Sequence, residues 1–216
     1  MTFQIKTFPG GPFDNLFYVV WDSLTREAAI VDPPKDIREL IQFMQSQSLT
    51  FSHIWLTHTH YDHIEGIENC LNYNPTLPII THTSQAKKFL FHSNVIKVST
   101  GDEIKLGSLS ITIIHTPGHS PCGICFYSAP HCITGDTLFV DRCGRADIKG
   151  ADVHKLYDSL QKLKNLPPET IIYPGHDYGK SQTDTIQNQC IQNPYLVAKN
   201  KETFIRYRMG KNYPLT

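Results

Sequence analysis

The sequence carries no excess charge of either sign and has no long apolar run. Its 216 residues include 20 Lys plus Arg and 20 Asp plus Glu, so the formal net charge is zero. A neutral chain has no general electrostatic attraction for nucleic acid or for an anionic membrane. Its apolar runs also fall short of the roughly 18–20 residues that span a bilayer. We therefore expect neither nucleic acid nor a membrane as a partner.

Cysteine is also scarce, and the N-terminus lacks the features of a signal peptide. Six cysteines are too few for a disulfide scaffold at this length. The first residues, MTFQIKTFPG, lack both the basic segment and the apolar segment of a signal peptide. These absences predict reduced thiols and a cytoplasmic protein. Because 40% hydrophobic content suffices for one core, we expect a single domain over residues 1–216, with a short basic tail at about residues 195–216.

The apolar pattern predicts strands and helices in both halves of the chain. Two apolar runs at residues 16–21 and 27–31 indicate a β-hairpin, and residues 53–56 indicate a further strand. Helical spacing appears near residues 84–91 and again, more clearly amphipathic, at residues 153–163. Strand clusters interleaved with helices predict two sheets covered by outer helices.

The densest group of metal-ligand residue types directly follows the strand at residues 53–56. The segment Thr57-His58-Thr59-His60-Tyr61-Asp62-His63 contains four of them within six positions. A polar turn with solvated histidines is the alternative interpretation. So many ligand types in so short a stretch favour a metal site.

Three further residues of ligand type each follow a predicted strand and a glycine. They are His119, Asp136 and His176, in the turns Gly118-His119, Gly135-Asp136 and Gly175-His176. A glycine allows the backbone to turn tightly and to approach a ligand closely. Strand ends converge on one rim of a sheet, so these loops are expected to share one pocket.

The composition of this set indicates a catalytic metal site. Five histidines and two aspartates without a cysteine suit Zn²⁺, or Fe or Mn, in catalytic use, whereas closed structural zinc sites favour thiolates. Seven ligands exceed the need of one ion. They suffice for two divalent metal ions if one carboxylate bridges them.

These motifs, together with Val31-Asp32-Pro33, resemble the metallo-β-lactamase superfamily over nearly the whole chain. The resemblance implies an α/β fold, the αββα four-layer sandwich, in which helices flank two mixed β-sheets and the metals lie at the sheet edge. It also implies that Asp32 supports the site loop. One metal would be held by His58, His60 and His119, the second by Asp62, His63 and His176, and Asp136 would bridge them.

Within the superfamily the chain is similar to the glyoxalase II group, the hydroxyacylglutathione hydrolases. The matching segments are Asp14-Asn15, Gly135-Asp136-Thr137-Leu138-Phe139, Cys143-Gly144-Arg145, Gly175-His176-Asp177-Tyr178, Asn193-Pro194 and Phe204-Ile205-Arg206-Tyr207-Arg208. This resemblance implies hydrolysis of a glutathione thioester such as S-D-lactoylglutathione by a metal-bound hydroxide. The catalytic carboxylates would be Asp62 and Asp136. The partner would be a small-molecule glutathione conjugate, bound by Arg145, Tyr178, Arg206, Arg208 and Lys211.

Two alternatives remain open at this stage. The segment Cys143-Gly144-Arg145-Ala146-Asp147 also resembles the persulfide dioxygenase branch, which oxidises glutathione persulfide with a single iron. In that pattern the iron ligands would be His58, His119 and Asp136, which form a facial triad. The other alternative is a non-catalytic metal-binding module on the same fold.

Overall fold

In the computed structural model, which describes residues 2–89, 92 and 94–210, the chain forms two six-stranded sheets. The strands of the first sheet are, in spatial order, β1 (Phe3–Gly10), β2 (Asn15–Asp22), β3 (Glu27–Val31), β4 (Thr50–Trp55), β5 (Ile79–His82) and β6 (Val95–Val98). The first three pair antiparallel, and β3 to β6 run parallel. Helices α1 (Arg38–Ser46) and α2 (Ile67–Tyr73) connect the parallel strands.

The second sheet is also mixed. Its strands are, in spatial order, β14 (Asp184–Thr185), β13 (Ile171–Pro174), β10 (His131–Gly135), β9 (Ile124–Ser128), β8 (Leu109–His115) and β7 (Glu103–Leu106). Only β10 and β13 among these pair in parallel. The remaining elements are the short hairpin of β11 (Leu138–Phe139) and β12 (Arg142–Cys143) and the helices α3 (Val153–Lys164), α4 (Ile186–Gln192) and α5 (Lys201–Met209).

Three apolar layers hold these elements together. The middle layer lies between the two sheets, where the ring of Trp55 stacks on that of Phe126 at a centroid distance of 4.7 Å. A second layer joins the first sheet to α1 and α2, and a third joins the second sheet to α3, α4 and α5. The order is therefore helix, sheet, sheet, helix, which confirms the predicted four-layer α/β sandwich.

Burial on both faces explains why β2 is an almost continuous apolar run. Tyr18 and Val20 pack in the middle layer, whereas Phe17 and Val19 face the helices on the other side of the sheet. Successive side chains of a strand point to opposite faces, so a strand between two apolar layers needs apolar residues at every position.

The structure differs from the sequence-based expectation at two elements. The pattern did not predict β1, in which exposed Lys6 and the nearby Pro9 interrupt the apolar alternation. Both are tolerated because β1 is an edge strand. The helix expected near residues 84–91 is a 3₁₀ helix over Thr83–Phe89 and not an α-helix, and residues 90 and 91 lie outside the described residues.

The C-terminal basic segment contains a helix that packs on the rest of the chain. In α5, Phe204 and Ile205 are buried in the third apolar layer, while Arg206 and Tyr207 are exposed. Over the described residues, no helix combines the length and apolar character that crossing a membrane would require.

Candidate metal centre

The loop that follows β4 is anchored by a buried carboxylate at the end of β3. The two strands are parallel neighbours, so their carboxyl ends lie side by side. Asp32 accepts hydrogen bonds from the backbone nitrogen of Thr57 at 2.7 Å and from the Thr57 hydroxyl at 2.5 Å. This fixes the point at which the chain leaves the sheet and enters the histidine-rich segment, as expected for Asp32.

Three histidines form the first group of converging ligand atoms. Nε2 of His58 lies 3.0 Å from Nδ1 of His60, which in turn lies 2.8 Å from Nε2 of His119. His58 and His60 come from the loop after β4, and His119 comes from the turn after β8.

The second group contains two more histidines and a carboxylate. Nε2 of His63 lies 3.2 Å from Nε2 of His176. Oδ2 of Asp62 is 3.4 Å from the first of these nitrogens and 3.5 Å from the second. A short 3₁₀ helix over Tyr61–His63 turns Asp62 and His63 to the same side.

Asp136 lies between the two groups. Its Oδ2 is 3.3 Å from Nε2 of His119 in the first group and 3.2 Å from Nε2 of His176 in the second. Its Oδ1 is 3.4 Å from Nε2 of His63. A bridging carboxylate needs this position, with contacts to both groups.

Close backbone packing at Gly175 places His176 in this cluster. A Cβ atom there would lie 2.3 Å from Oδ1 of Asp136 and 2.9 Å from Cε1 of His63. Only a residue without a side chain leaves room for the two ligands, so the glycine predicted to allow close approach has that role here.

Hydrogen bonds on the outer side of the rings direct the histidine lone pairs inwards. Nδ1 of His119 lies 3.0 Å from the backbone oxygen of Arg145, and Nδ1 of His176 lies 2.8 Å from that of Phe13. A carbonyl oxygen only accepts, so each Nδ1 carries a proton, and in the neutral form of each ring Nε2 presents a lone pair. In His63, Nδ1 lies 2.9 Å from Oδ2 of Asp32, which orients that ring in the same way.

Burial keeps most of these rings in the form that binds metals. Burial lowers the pKa of His58 well below its usual value, and burial together with neighbouring His119 lowers that of His60 to about 4. Burial alone would also lower the pKa of His63, but the carboxylates of Asp136 and Asp32 raise it to about 9. In the metal-free protein, His63 therefore carries the proton that a metal must displace.

The cluster fits divalent cations. Facing lone pairs repel one another unless a proton or a cation lies between them. Oδ1 of Asp136 is buried and has no hydrogen-bond partner among the described residues. A buried carboxylate oxygen without a hydrogen bond is costly, and a metal ion would satisfy it. Nitrogen and oxygen donors without thiolate suit Zn²⁺, Fe or Mn.

Tyr178 forms part of the mouth of the centre. Its ring is stacked on that of His176, with centroids 4.9 Å apart and planes 3° apart, and it is 39% exposed. Of the residues that the glyoxalase II resemblance assigns to substrate binding, Tyr178 is therefore in direct contact with a candidate metal ligand.

The basic residues of that assignment lie in different surroundings. Arg145 makes two hydrogen bonds of 3.0 Å to Asp147, and Arg208 lies 3.9 Å from the same carboxylate. Arg206 pairs with Glu202 one helical turn away in α5. Lys211 lies outside the described residues. Substrate binding by these four residues stays a prediction.

Sequence reasoning missed two features of the site. Asn15, noted only as part of a family segment, is fully buried and its amide donates a 2.9 Å hydrogen bond to Asp62. Arg142 and Lys180, to which the sequence pattern assigned no role, line a pocket together with Tyr178. Asn15 could not be recognised because an asparagine at the start of a hairpin strand is common and does not indicate a contact with a ligand. Arg142 and Lys180 could not be recognised because exposed arginines and lysines occur on most protein surfaces.

The sequence matches the model of one protein family. Residues 10–176 match the family described as the metallo-beta-lactamase superfamily. This range includes β2, both candidate ligand groups and Asp136.

Relatives of similar sequence carry names of hydrolases. A probable polyketide biosynthesis zinc-dependent hydrolase from Bacillus velezensis is 30% identical over 97% of this chain and 93% of its own length. A hydroxyacylglutathione hydrolase from Hamiltonella defensa is 32% identical over 93% of this chain and 76% of its own length.

Solved structures of similar fold cover most of the chain. ETHE1 from Myxococcus xanthus has a TM-score of 0.87 and 29% identity, with 98% of this chain and 92% of that chain covered. TTHA1623 in a di-iron-bound form has a TM-score of 0.76 and 27% identity, with 88% of this chain and 100% of that chain covered.

Proposed function

Because this chain belongs to the metallo-beta-lactamase superfamily, we propose that it is a metal-dependent hydrolase that cleaves a glutathione thioester of the S-D-lactoylglutathione kind. One observation carries the proposal. Two groups of ligand atoms, each of three residues, face one another across the carboxylate of Asp136. Such an arrangement suits two metals that act on one water molecule and one carbonyl group. Relatives named hydroxyacylglutathione hydrolase support the choice of substrate.

The residues divide into ligands and residues that orient them. We propose two divalent metals, Zn²⁺ or Fe or Mn, the first held by His58, His60 and His119, the second by Asp62, His63 and His176, with Asp136 shared. Metals in these positions supply Lewis acidity, which polarises a carbonyl and lowers the pKa of a water molecule. Asp32 and the backbone oxygens of Arg145 and Phe13 keep three of the imidazoles in the correct tautomer.

Residues outside the two ligand groups would contact the substrate and complete the domain. The exposed ring of Tyr178, stacked on His176, would contact the thiol part of a small glutathione conjugate. Arg145 pairs with Asp147 and would contact the conjugate through its remaining terminal nitrogen. Burial of Phe204 and Ile205 supports one domain that includes the C-terminal helix.

Metal analysis beside a kinetic assay tests the function. We expect about two divalent metals per chain, hydrolysis of S-D-lactoylglutathione, and loss of this activity after chelation. Asp136→Asn should lose both metal and activity. Asp158→Asn is the matched control, because Asp158 is exposed and its one ion pair in the described part of the chain is with Lys201. Hydrolysis that persists after complete removal of metal would contradict the proposal.

An iron-dependent persulfide dioxygenase is the second candidate. The observation in its favour is the pair of Arg145 and Asp147, which the Cys-Gly-Arg-Ala-Asp segment forms beside the ligand His119. His58, His119 and Asp136 would then hold the iron. One iron per chain, with uptake of O₂ in the presence of glutathione persulfide and no thioester hydrolysis, would favour this candidate.

A further inference from the structure

A pocket of about 410 Å³ opens beside the metal centre. It lies between the β11–β12 hairpin, the segment after His176 and the connection from α4 to α5. Its lining residues are Asp141, Arg142, Tyr178, Gly179, Lys180, Pro194 and Tyr195.

Tyr178 connects this pocket to the candidate ligands. Its ring stacks on the ring of His176 and meets the edge of Phe139 at a centroid distance of 5.3 Å. A molecule in the pocket that contacts Tyr178 is therefore one aromatic ring away from a metal ligand. A substrate whose reacting bond lies at the candidate metal centre could therefore reach the pocket along the ring of Tyr178.

Two positively charged side chains, those of Arg142 and Lys180, line the pocket, and each has hydrogen-bond donors that are not used within the described residues. Nε of Arg142 donates to the backbone oxygen of Tyr178 at 3.1 Å, which leaves both terminal nitrogens of the guanidinium available. Nζ of Lys180 donates to the side-chain oxygen of Gln192 at 2.6 Å and has two further protons. In the described part of the chain, neither residue forms an ion pair within 4.0 Å.

The backbone that carries Arg142 is held in place from α4 and its C-terminal end. The amide of Asn193 donates to the backbone oxygens of Arg142 at 3.0 Å and of Phe139 at 3.3 Å. The side-chain oxygen of buried Gln189 accepts from the backbone nitrogen of Asp141 at 2.7 Å. A preformed pocket binds a ligand without the cost of ordering a loop.

The carboxylates on this side of the protein are occupied by other donors. Asp141 lines the pocket, but its Oδ1 accepts from Gln189 at 3.3 Å. Asp184, close to Lys180, accepts from Gln189 and Gln192 through Oδ2 at 2.9 and 2.7 Å. Among the described residues that line the pocket, Arg142 and Lys180 therefore keep side-chain donors that no carboxylate occupies.

We propose that Arg142 and Lys180 bind a carboxylate of the thiol that leaves when the thioester is cleaved, which makes them residues that determine specificity. This inference rests on the proposed hydrolase function. A guanidinium with two free nitrogens matches a carboxylate, and the ammonium of Lys180 adds a second positive charge. The pocket therefore selects thioesters of an acidic thiol over those of a neutral thiol. Arg145 and Arg206, by contrast, already pair with carboxylates of the chain.

Steady-state kinetics on two substrates test the proposal. The acidic substrate is S-D-lactoylglutathione, and the neutral one is the D-lactoyl thioester of N-acetylcysteamine. We expect Arg142→Met and Lys180→Met each to raise KM for the acidic substrate about tenfold, with little change in kcat, because a charge-assisted hydrogen bond is lost. KM for the neutral substrate should stay within about twofold, since that thiol has no carboxylate.

Two variants of exposed cations elsewhere are the matched controls. Arg38→Met removes an arginine that pairs with Asp36, and Lys105→Met removes an exposed lysine of β7. Neither should change KM for either substrate. Equal KM values of the wild type for the two thioesters, or equal increases for both in Arg142→Met, would overturn the inference and leave the hydrolase function intact.

Binding of S-methylglutathione, measured by calorimetry, separates this inference from the proposed function. This probe carries the carboxylates but no thioester. If no thioester is hydrolysed, the hydrolase function fails. The carboxylate pocket is still supported if the wild type binds the probe and Arg142→Met binds it about tenfold more weakly. Failure of the wild type to bind the probe, or equal binding by both proteins, overturns the inference.

Discussion

The side-chain amide of Asn15 donates a 2.9 Å hydrogen bond to Oδ2 of Asp62, the one carboxylate of the second ligand group. Asn15 is fully buried at the start of β2 and is bridged to His176, another ligand of that group. One residue far from the histidine-rich segment thus contacts two members of the second group. We predict that Asn15 orients these ligands.

Loss of the Asn15 amide should weaken the second metal site selectively. We expect Asn15→Ala to lower the affinity for one of two metals by about 10–100-fold, because Asp62 is then free to turn away. A competition titration with a chromophoric chelator measures both affinities. Asn69→Ala is the control, since Asn69 is exposed and, among the described residues, its side chain hydrogen-bonds only to the backbone oxygen of Lys35. Two unchanged affinities in Asn15→Ala would refute the role given to Asn15.

Substitution of Asp32 should destabilise the metal-free protein. In Asp32→Asn, the side-chain NH2 group would face either the backbone N–H of Thr57 or the Thr57 hydroxyl together with Nδ1 of His63, so at least one buried donor loses its acceptor. Such a loss costs about 1–3 kcal/mol of the free energy of unfolding. Urea denaturation in the presence of chelator measures it. In Asp36→Asn, which breaks an exposed ion pair with Arg38, the free energy of unfolding should change much less than in Asp32→Asn.

Removal of metal should lower the melting temperature. Free metal at about a thousand times its Kd stabilises a folded protein by about 4 kcal/mol, which corresponds to roughly 10 °C in a chain of this size. Calorimetry of the protein before and after chelation, and after Zn²⁺ is added back, measures the shift. Asp136→Asn should show a much smaller rise with Zn²⁺. A melting temperature that is the same with and without metal would argue against both ligand groups.

Asp22 should make stability depend on pH in the acid range. Burial alone would raise the pKa of this carboxyl, but hydrogen bonds from Ser108, Leu24 and Thr25 lower it from 3.8 to about 2. Since the folded-state pKa is the lower one, this stabilisation is present above pH 3.8 and is lost as the pH falls towards 2. The difference in unfolding free energy between wild type and Asp22→Asn, both metal-free, should therefore shrink over this range. A constant difference from pH 5 to pH 2 would contradict this account.

The sequence predicts the centre of the fold better than its edges. The strand β4 and the ligand segment after it could be recognised because Ile54, Trp55 and Leu56 form a short buried apolar run and the ligand types follow directly. The edge strand β1 escaped prediction because only Phe3 and Phe8 of its eight residues are buried, so its apolar pattern is incomplete. Residues 83–89 lie on the surface in a 3₁₀ helix, where apolar spacing does not distinguish that helix from an α-helix.

The candidate site shows a similar division. His119, Asp136 and His176 could be grouped from sequence, because each follows a strand and a glycine. The contact of Asn15 with Asp62 could not, since it depends on the start of β2 meeting the backbone of Gly175 in the other sheet. The position of the Arg142 backbone depends on a hydrogen bond from Asn193, 51 residues later in the chain. Local sequence patterns do not predict such long-range contacts.

Both ligand groups draw on the two halves of the chain. Each takes two residues from the loop after β4, and each is completed by a histidine from the second sheet, His119 in one and His176 in the other. An N-terminal fragment that ends before residue 118 would hold four of the ligands and complete neither group. An ion bound by either group would therefore join the two halves of the sandwich, and separating the halves would require its release.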